Sequence, residues 1–284
     1  MTGHENDHYS LSITRQGLIH LDVSGECVMD RGALHEFLDL SERVEDDGTG
    51  DQQREAHHHI QTFSYNSPHE APPAEVKRED GVILISGVLH SQGGATDGMR
   101  YRTEVCCDDS PIINISVERT YLRDFKRVVD DSICFLSPGG FASKFHVWSE
   151  DGDYMVMDDD DLTRWHPLDP LPPLGAPAMT EIPRRLKASI STSGYGAIMG
   201  ENVGFGLILD YSRIGVTKCP PDGPGELRAH RPRPPAAHKF DELEFQWFAD
   251  GPRYEGTREE ASFQIVPCVG GFDELITQWG LMTK

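Results

Sequence analysis

The sequence predicts an all-β fold, an antiparallel β-sandwich (supersandwich) with few short helices. Three observations carry this. Extended segments follow one another along the 284 residues at short intervals. Clusters such as DDSP, SPGG, EDGD and CPPDGPG separate them, and Gly, Pro, Asp and Ser favour turns through unusual φ values or local side-chain hydrogen bonds. Helical periodicity is confined to two stretches. Short strands at such spacing build sandwiches or barrels rather than parallel sheets with crossover helices.

In chain order, LSITRQGLIHLDV (11–23) reads as one strand or a bent pair. GALHEFLDLSERV (32–44) is expected to be a helix. GVILISGVLH (81–90) is a strand with a break at Gly87, RYRTEVCCDD (100–109) alternates, and PIINISVERTYLRD (111–124) is the strongest strand pattern in the chain. DSICFLSP (131–138), ASKFHVWSED (142–151), RLKASISTSGYGAIMG (185–200), VGFGLILDYS (203–212), FDELEFQWF (240–248) and SFQIVPCV (262–269) continue the series. GGFDELITQWGLM (270–282) follows a Gly pair and places Leu275, Ile276 and Trp279 on one side of an expected helix. Segments 46–59, 154–185 and 219–239 are polar or proline-rich and read as loops. The last two are longer than ordinary connections, which suggests walls around a cleft. The expected organisation is a single domain over 1–284, with residues 1–60 either part of it or an added N-terminal arm.

Charge narrows the function classes. The net charge of −21 argues against nucleic acid, whose phosphates need a basic surface. It also argues against an anionic membrane surface. The 7 Lys against 19 Arg, with 26 Asp and 21 Glu, fit either a surface for high salt or a GC-rich coding bias. The N-terminus shows neither a basic start nor an apolar run, and no stretch reaches the roughly 18 apolar residues of a membrane span, so a cytoplasmic protein is expected. The six cysteines form no CxxC pair, and contexts such as SICFL and QIVPCV suggest small buried thiols.

Candidate chemistry sits on three strands. In FDELEFQWF, Leu243, Phe245 and Trp247 point to one face, and Glu242, Glu244 and Gln246 to the other. Two carboxylates about 7 Å apart can divide acid and base roles or accept hydrogen bonds from sugar hydroxyls. Arg253 follows nearby as a ligand-binding residue. The alternative is a solvated sheet face. In SKFHVW, Lys144, His146 and Trp148 share a face; an aromatic ring can stack on a sugar, and His146 can serve as acid or base. In VERTYLRD, Arg119 and Tyr121 continue an apolar face. There they either reach a cleft, where the guanidinium would fork onto an acidic sugar, or form a buried Arg–Glu pair that holds the sheet.

Other motifs offer less. His57 and His59 in AHHHIQ have the spacing of cupin ligands, without the accompanying Glu and later His. The acidic runs at 46–51 and 158–161 lack a calcium-loop pattern. No G-x-S-x-G, P-loop or Rossmann motif is present. No metal or other cofactor is expected.

The order GVILISG, YRTEV, DDSPIINISVERTY, then VGFGLILDYS and DELEFQWF, resembles the galactose-mutarotase-like supersandwich over roughly residues 80–270. That fold serves aldose epimerases and forms β domains of polysaccharide lyases and glycoside hydrolases. The epimerase motif, a His in an Asn/Thr-rich strand followed by Tyr-Phe, is absent, so no catalytic residue carries over. The resemblance implies a carbohydrate partner. With the strand residues, it leads to an expected carbohydrate-active enzyme acting on a sugar or an acidic oligosaccharide by hydrolysis, elimination or epimerisation. The expected catalytic residues are His146, Glu242, Glu244, Arg119 and Tyr121; Trp148, Gln246, Arg253 and Lys144 would bind substrate. The rival readings are a non-catalytic sugar-binding or assembly module and a cupin-like metal protein. The sequence leaves oligomeric state open.

Overall fold

Alternating apolar and polar residues become two stacked antiparallel sheets. The computed structural model describes residues 2–39, 61–64, 74–90, 97–138, 141, 144–148, 154–158, 188–191, 195–209, 215–216, 226–230, 240–247, 251–271, 273–275 and 277–278. The chain opens with β1 (Thr2–Glu5), β2 (Ser10–Ile13), β3 (Ile19–Val23), β4 (Glu26–Asp39) and β5 (Gln61–Ser64). Then come β6 (Glu75–Glu79), β7 (Val82–His90), β8 (Asp97–Cys106), β9 (Ile113–Tyr121) and β10 (Phe125–Pro138). The next strands are β11 (Lys144–Trp148), β12 (Tyr154–Asp158), β13 (Ala188–Ser191), β14 (Tyr195–Met199) and β15 (Val203–Leu209). The series ends with β16 (Gly215–Val216), β17 (Glu226–His230), β18 (Phe240–Trp247), β19 (Gly251–Arg253) and β20 (Arg258–Val269).

The first sheet runs β1-β2-β3-β4-β10-β18-β17-β13, with β5 on β4 and β19 on β10. The second runs β12-β11-β14-β15-β20-β9-β8-β7-β6, with β16 on β20. Two hairpins are set by two-residue turns, Ser24-Gly25 and Asp80-Gly81, all four residues at positive φ. That conformation matches the twist of the flanking strands and suits Gly at the second position. Between the sheets lies one core that draws on both, including Leu21, Phe135 and Phe245 from the first and Ile85, Ile115 and Phe263 from the second. Phe263 meets Phe135 and Phe245 edge-on, at 5.3 and 5.5 Å between ring centroids. That geometry favours aromatic pairs beyond the area they bury. No helix among the described residues is long and apolar enough to cross a membrane.

The sandwich expected from the sequence is present, and several elements differ from expectation. Residues 32–39 lie in strand β4, not in a helix. Leu34, His35 and Phe37 are all buried, so both faces of the strand are covered. A strand buried on both sides loses its period-2 signature and mimics a helical one. Ala33, at φ 54°, adds an irregularity in the pairing with β10 that breaks the alternation further. Two of the expected loops contain strands, β12 at 154–158 and β17 at 226–230. The expected C-terminal helix is present at 273–275 and 277–278. The acidic run at 46–51 and the His57–His59 motif lie outside the described residues.

Arg119, Tyr121 and Arg253 are also corrected. Of the two readings of Arg119 and Tyr121, a cleft or a buried Arg–Glu pair, the second holds, and Arg253, expected to bind substrate, joins them between the sheets, at 0, 1 and 2% exposure. One guanidinium nitrogen of Arg119, Nη2, donates to Asp131 Oδ1 and lies 3.4 Å from Glu259 Oε2. Nη1 donates to the Ser132 carbonyl at 2.9 Å. Arg253 Nε donates to Glu259 Oε1 at 3.1 Å and lies 4.0 Å from Asp131 Oδ2. Tyr121 donates its hydroxyl to Asp131 Oδ2 at 2.6 Å. The Arg119 guanidinium stacks 4.5 Å above the Trp247 ring. With all four groups ionised the set would balance two cations against two carboxylates, the pairing by which buried charge is tolerated. It joins β9 and β20 of the second sheet to β10 and β19 of the first.

Burial alone would favour a neutral Arg119, but Asp131 and Glu259 outweigh it and raise the pKa further. Burial and the adjacent Asp131 push Glu259 up, against the pull of Arg119 and Arg253. Tyr121 is pushed up by burial, then by Asp131 and Glu259, so its phenol remains a donor. Replacing Arg119 with Met should lower unfolding stability by about 3–5 kcal/mol, because it leaves buried carboxylates with one cation. Arg119→Lys should recover only part of this, since an ammonium lacks the planar fork that serves Asp131, Glu259 and a carbonyl together. Denaturant midpoints of the two variants check both expectations.

Candidate functional site

Strand β18 turns Leu243, Phe245 and Trp247 into the core at 0, 0 and 1% exposure. Alternation then sends Glu242 and Glu244 to the outer face of the first sheet. Register builds the rest of that face. Across β10, Glu244 pairs with Cys134 and Glu242 with Leu136, while Gln246 pairs with Ser132. On the other side of β10, Ser132 pairs with Glu36 of β4 and Cys134 with Leu34. On the far side of β18, the register sets Arg228 across from Glu244 and His230 across from Glu242.

The result is a cluster of Glu36, Cys134, Glu242 and Glu244. Ligand atoms of Glu36, Cys134 and Glu244 lie within 4.8 Å of one another. Cys134 Sγ donates to Glu36 Oε1 at 3.8 Å and lies 3.7 Å from Ser132 Oγ. Glu242 and Glu244 are each 6% exposed, a depth at which carboxylates are rare unless partnered. Burial pushes the Cys134 thiol well above its ordinary range, and Glu242, Glu36 and Glu244 push it further. Cys134 therefore stays protonated, as a weak donor to carboxylates rather than a nucleophile.

Proton transfer by the carboxylates is the chemistry this cluster allows. Two carboxylates this close can divide acid and base roles toward one bound group. The spacing also bears on hydrolysis. Inverting glycosidases need carboxyl groups about 6.5–9.5 Å apart and retaining ones about 5–5.5 Å. A Glu36–Glu244 separation within 4.8 Å is too short for the inverting arrangement. A metal ion is a second use for such a trio, although carboxylate and thiolate ligands suit different metals.

The residues expected to form one site fall in three places. Glu242 and Glu244 are on the outer face of the first sheet. Arg119, Tyr121 and Arg253 are in the interior. Lys144, His146 and Trp148 are on β11 of the second sheet, paired with β12 and β14. Glu36 was missed because its segment reads as a helix; read as a strand, ALHEF puts Glu36 and Leu34 on one face. Cys134 was expected as a small buried thiol, and it is buried at 1% exposure.

No protein-family model matches the chain, and no curated protein matches it significantly. Solved structures do. A glycosyl hydrolase family 38 protein from Enterococcus faecalis aligns at 9% identity and TM-score 0.55, over 97% of this chain and 31% of its own. An alpha-mannosidase from Enterococcus faecalis V583 aligns at 9% identity and TM-score 0.54, over 97% of this chain and 30% of its own. A candidate aldose 1-epimerase from Escherichia coli K12 aligns at 12% identity and TM-score 0.45, over 94% of this chain and 99% of its own. The chain thus spans about three-tenths of the two Enterococcus proteins. At these identities the likeness is one of fold, and it agrees with the supersandwich resemblance read from the sequence.

Native protein treated with iodoacetamide near pH 8 should be modified at exposed Cys106 and spared at Cys134. Peptide mass spectrometry reads the outcome. Equal labelling of the two would show that the outer-face cluster is open and its thiol ionised.

Proposed function

We propose that the chain is a carbohydrate-active protein whose outer first-sheet face binds a sugar or oligosaccharide. Glu244 and Glu36 form its proton-transfer pair, and Glu242 is a hydrogen-bonding neighbour. The observation behind this reading is the approach of Glu36 and Glu244 to within 4.8 Å around one thiol, with Glu244 buried and Glu36 half-buried. A close carboxyl pair with one member nearly dry is matched to moving protons at a hydroxyl or ring oxygen. Epimerisation, elimination and retaining hydrolysis are compatible with the spacing. The expectation of an acidic sugar rested on Arg119 reaching a cleft. With Arg119 buried, that support is gone, and the carboxylates of this face favour neutral sugars.

A second reading has an observation of its own. The fold matches about three-tenths of two longer proteins, so it can occur as one part of a larger chain. A non-catalytic sugar-binding module would fit that use. Glycan-panel assays for reducing-end release, unsaturated products and anomer exchange should find one substrate class. On it, Glu244→Gln should lose roughly 100-fold or more of the rate, the scale of a lost acid or base. Its melting temperature should stay level or rise, because a like-charge contact is relieved. Binding without turnover, unchanged in Glu244→Gln, would select the module instead.

A further inference from the structure

A second cluster lies at the other end of the first sheet. The β3–β4 hairpin is closed by the Ser24-Gly25 turn, which pairs Val23 with Glu26 and Asp22 with Cys27. Along β3, Ile19, Leu21 and Val23 are fully buried, so His20 and Asp22 stand on the opposite, outer face. His20 Nδ1 is 3.9 Å from Cys27 Sγ and 3.8 Å from Asp30 Oδ1. His20 Nε2 is 3.4 Å from Asp22 Oδ1. One ligand atom each from His20, Asp22 and Cys27 lies within 4.8 Å of the others.

We infer that His20, Asp22 and Cys27 form a binding site for one borderline-soft divalent metal ion of the zinc or cobalt class. The donor set decides the ion. An imidazole, a thiolate and a single carboxylate suit zinc-like ions, whereas calcium and magnesium call for oxygen ligands throughout. The spacing fits as well. Zn–N of about 2.0 Å and Zn–S of about 2.3 Å at tetrahedral angles put ligand atoms roughly 3.3–3.5 Å apart. One ligand atom from each of the three side chains already lies within 4.8 Å of the other two, and side-chain rotation can close that gap. The backbone needs no rearrangement, because a two-residue turn and a buried inner face already hold both strands.

Access and charge agree with this assignment. His20 and Asp22 are about one-third exposed, so an ion can enter and a water can fill the fourth position. With Nε2 as the ligand, Asp30 Oδ1, 3.8 Å from Nδ1, can accept from the ring nitrogen left free. Arg31 Nε, 3.2 Å from Asp30 Oδ2, holds that carboxylate in place. The carboxylates of Asp22, a ligand, and Asp30 beside it give the site the negative field a dication needs.

Titrating the full reduced chain with Co²⁺ tests the site. The expected result is one equivalent bound, with the visible bands of four-coordinate cobalt and a near-ultraviolet thiolate-to-cobalt charge-transfer band, both erased by Zn²⁺. Cys27→Ser should abolish the charge-transfer band. His20→Asn, at a partly exposed position that tolerates change, should weaken Co²⁺ binding by roughly tenfold or more. Circular dichroism should show both variants folded. Absence of a charge-transfer band in the parent protein would overturn the assignment. So would a band that survives Cys27→Ser and disappears in Cys134→Ser, which would move the metal to the Glu36–Glu244 cluster.

Discussion

The buried set of Arg119, Asp131, Glu259 and Arg253 is the constraint around which this sandwich is arranged. Apolar side chains of equal volume hold two sheets together at least as well. They do not, however, define one relative placement. Four buried charges do, because a shift of one sheet past the other would strand a carboxylate or a guanidinium in a dry interior. The Arg119 bond to the Ser132 carbonyl extends this to the β10 backbone itself.

Strand β10 carries that constraint outward. Asp131 faces the interior set, while Cys134, a few residues on, faces the outer cluster. Its partners β4 and β18 bring Glu36 and Glu244 to the same place from opposite sides. The inner network thus fixes the strand, and the strand fixes the separation of the outer carboxylates. The proposed proton-transfer role depends on such rigidity, because catalytic groups must be held within about 0.5 Å of their productive geometry. The protonated thiol between them adds a weak donor and keeps a third negative charge out of the cluster.

Much of the architecture was legible in the sequence, and the reasons it was not complete are physical. FDELEFQWF betrayed its two faces through strict alternation, and the core rank of Leu243, Phe245 and Trp247 followed from it. PIINISVERTY likewise announced Arg119 and Tyr121 on the apolar side, and the alternative of a buried ion pair was visible. What decided between a cleft and a buried pair was Asp131 and Glu259. Each sits on a different strand, and pairing between distant strands leaves no local trace. Glu36 failed for another reason: β4 is covered on both faces and broken at Ala33, so its period could not be told from a helix. His146 and Trp148 lie on β11 of the second sheet, whereas Glu242 and Glu244 lie on β18 of the first.

The proposed sugar site is the outer face of the first sheet, against Glu36 and Glu244. A crystal structure with a bound glycan is the decisive measurement. The expected result is a sugar ring on that face, with a hydroxyl or ring oxygen within hydrogen-bond reach, about 2.6–3.2 Å, of the Glu244 carboxylate. A sugar seated on the second sheet along β11, with Glu36 and Glu244 untouched, would contradict it.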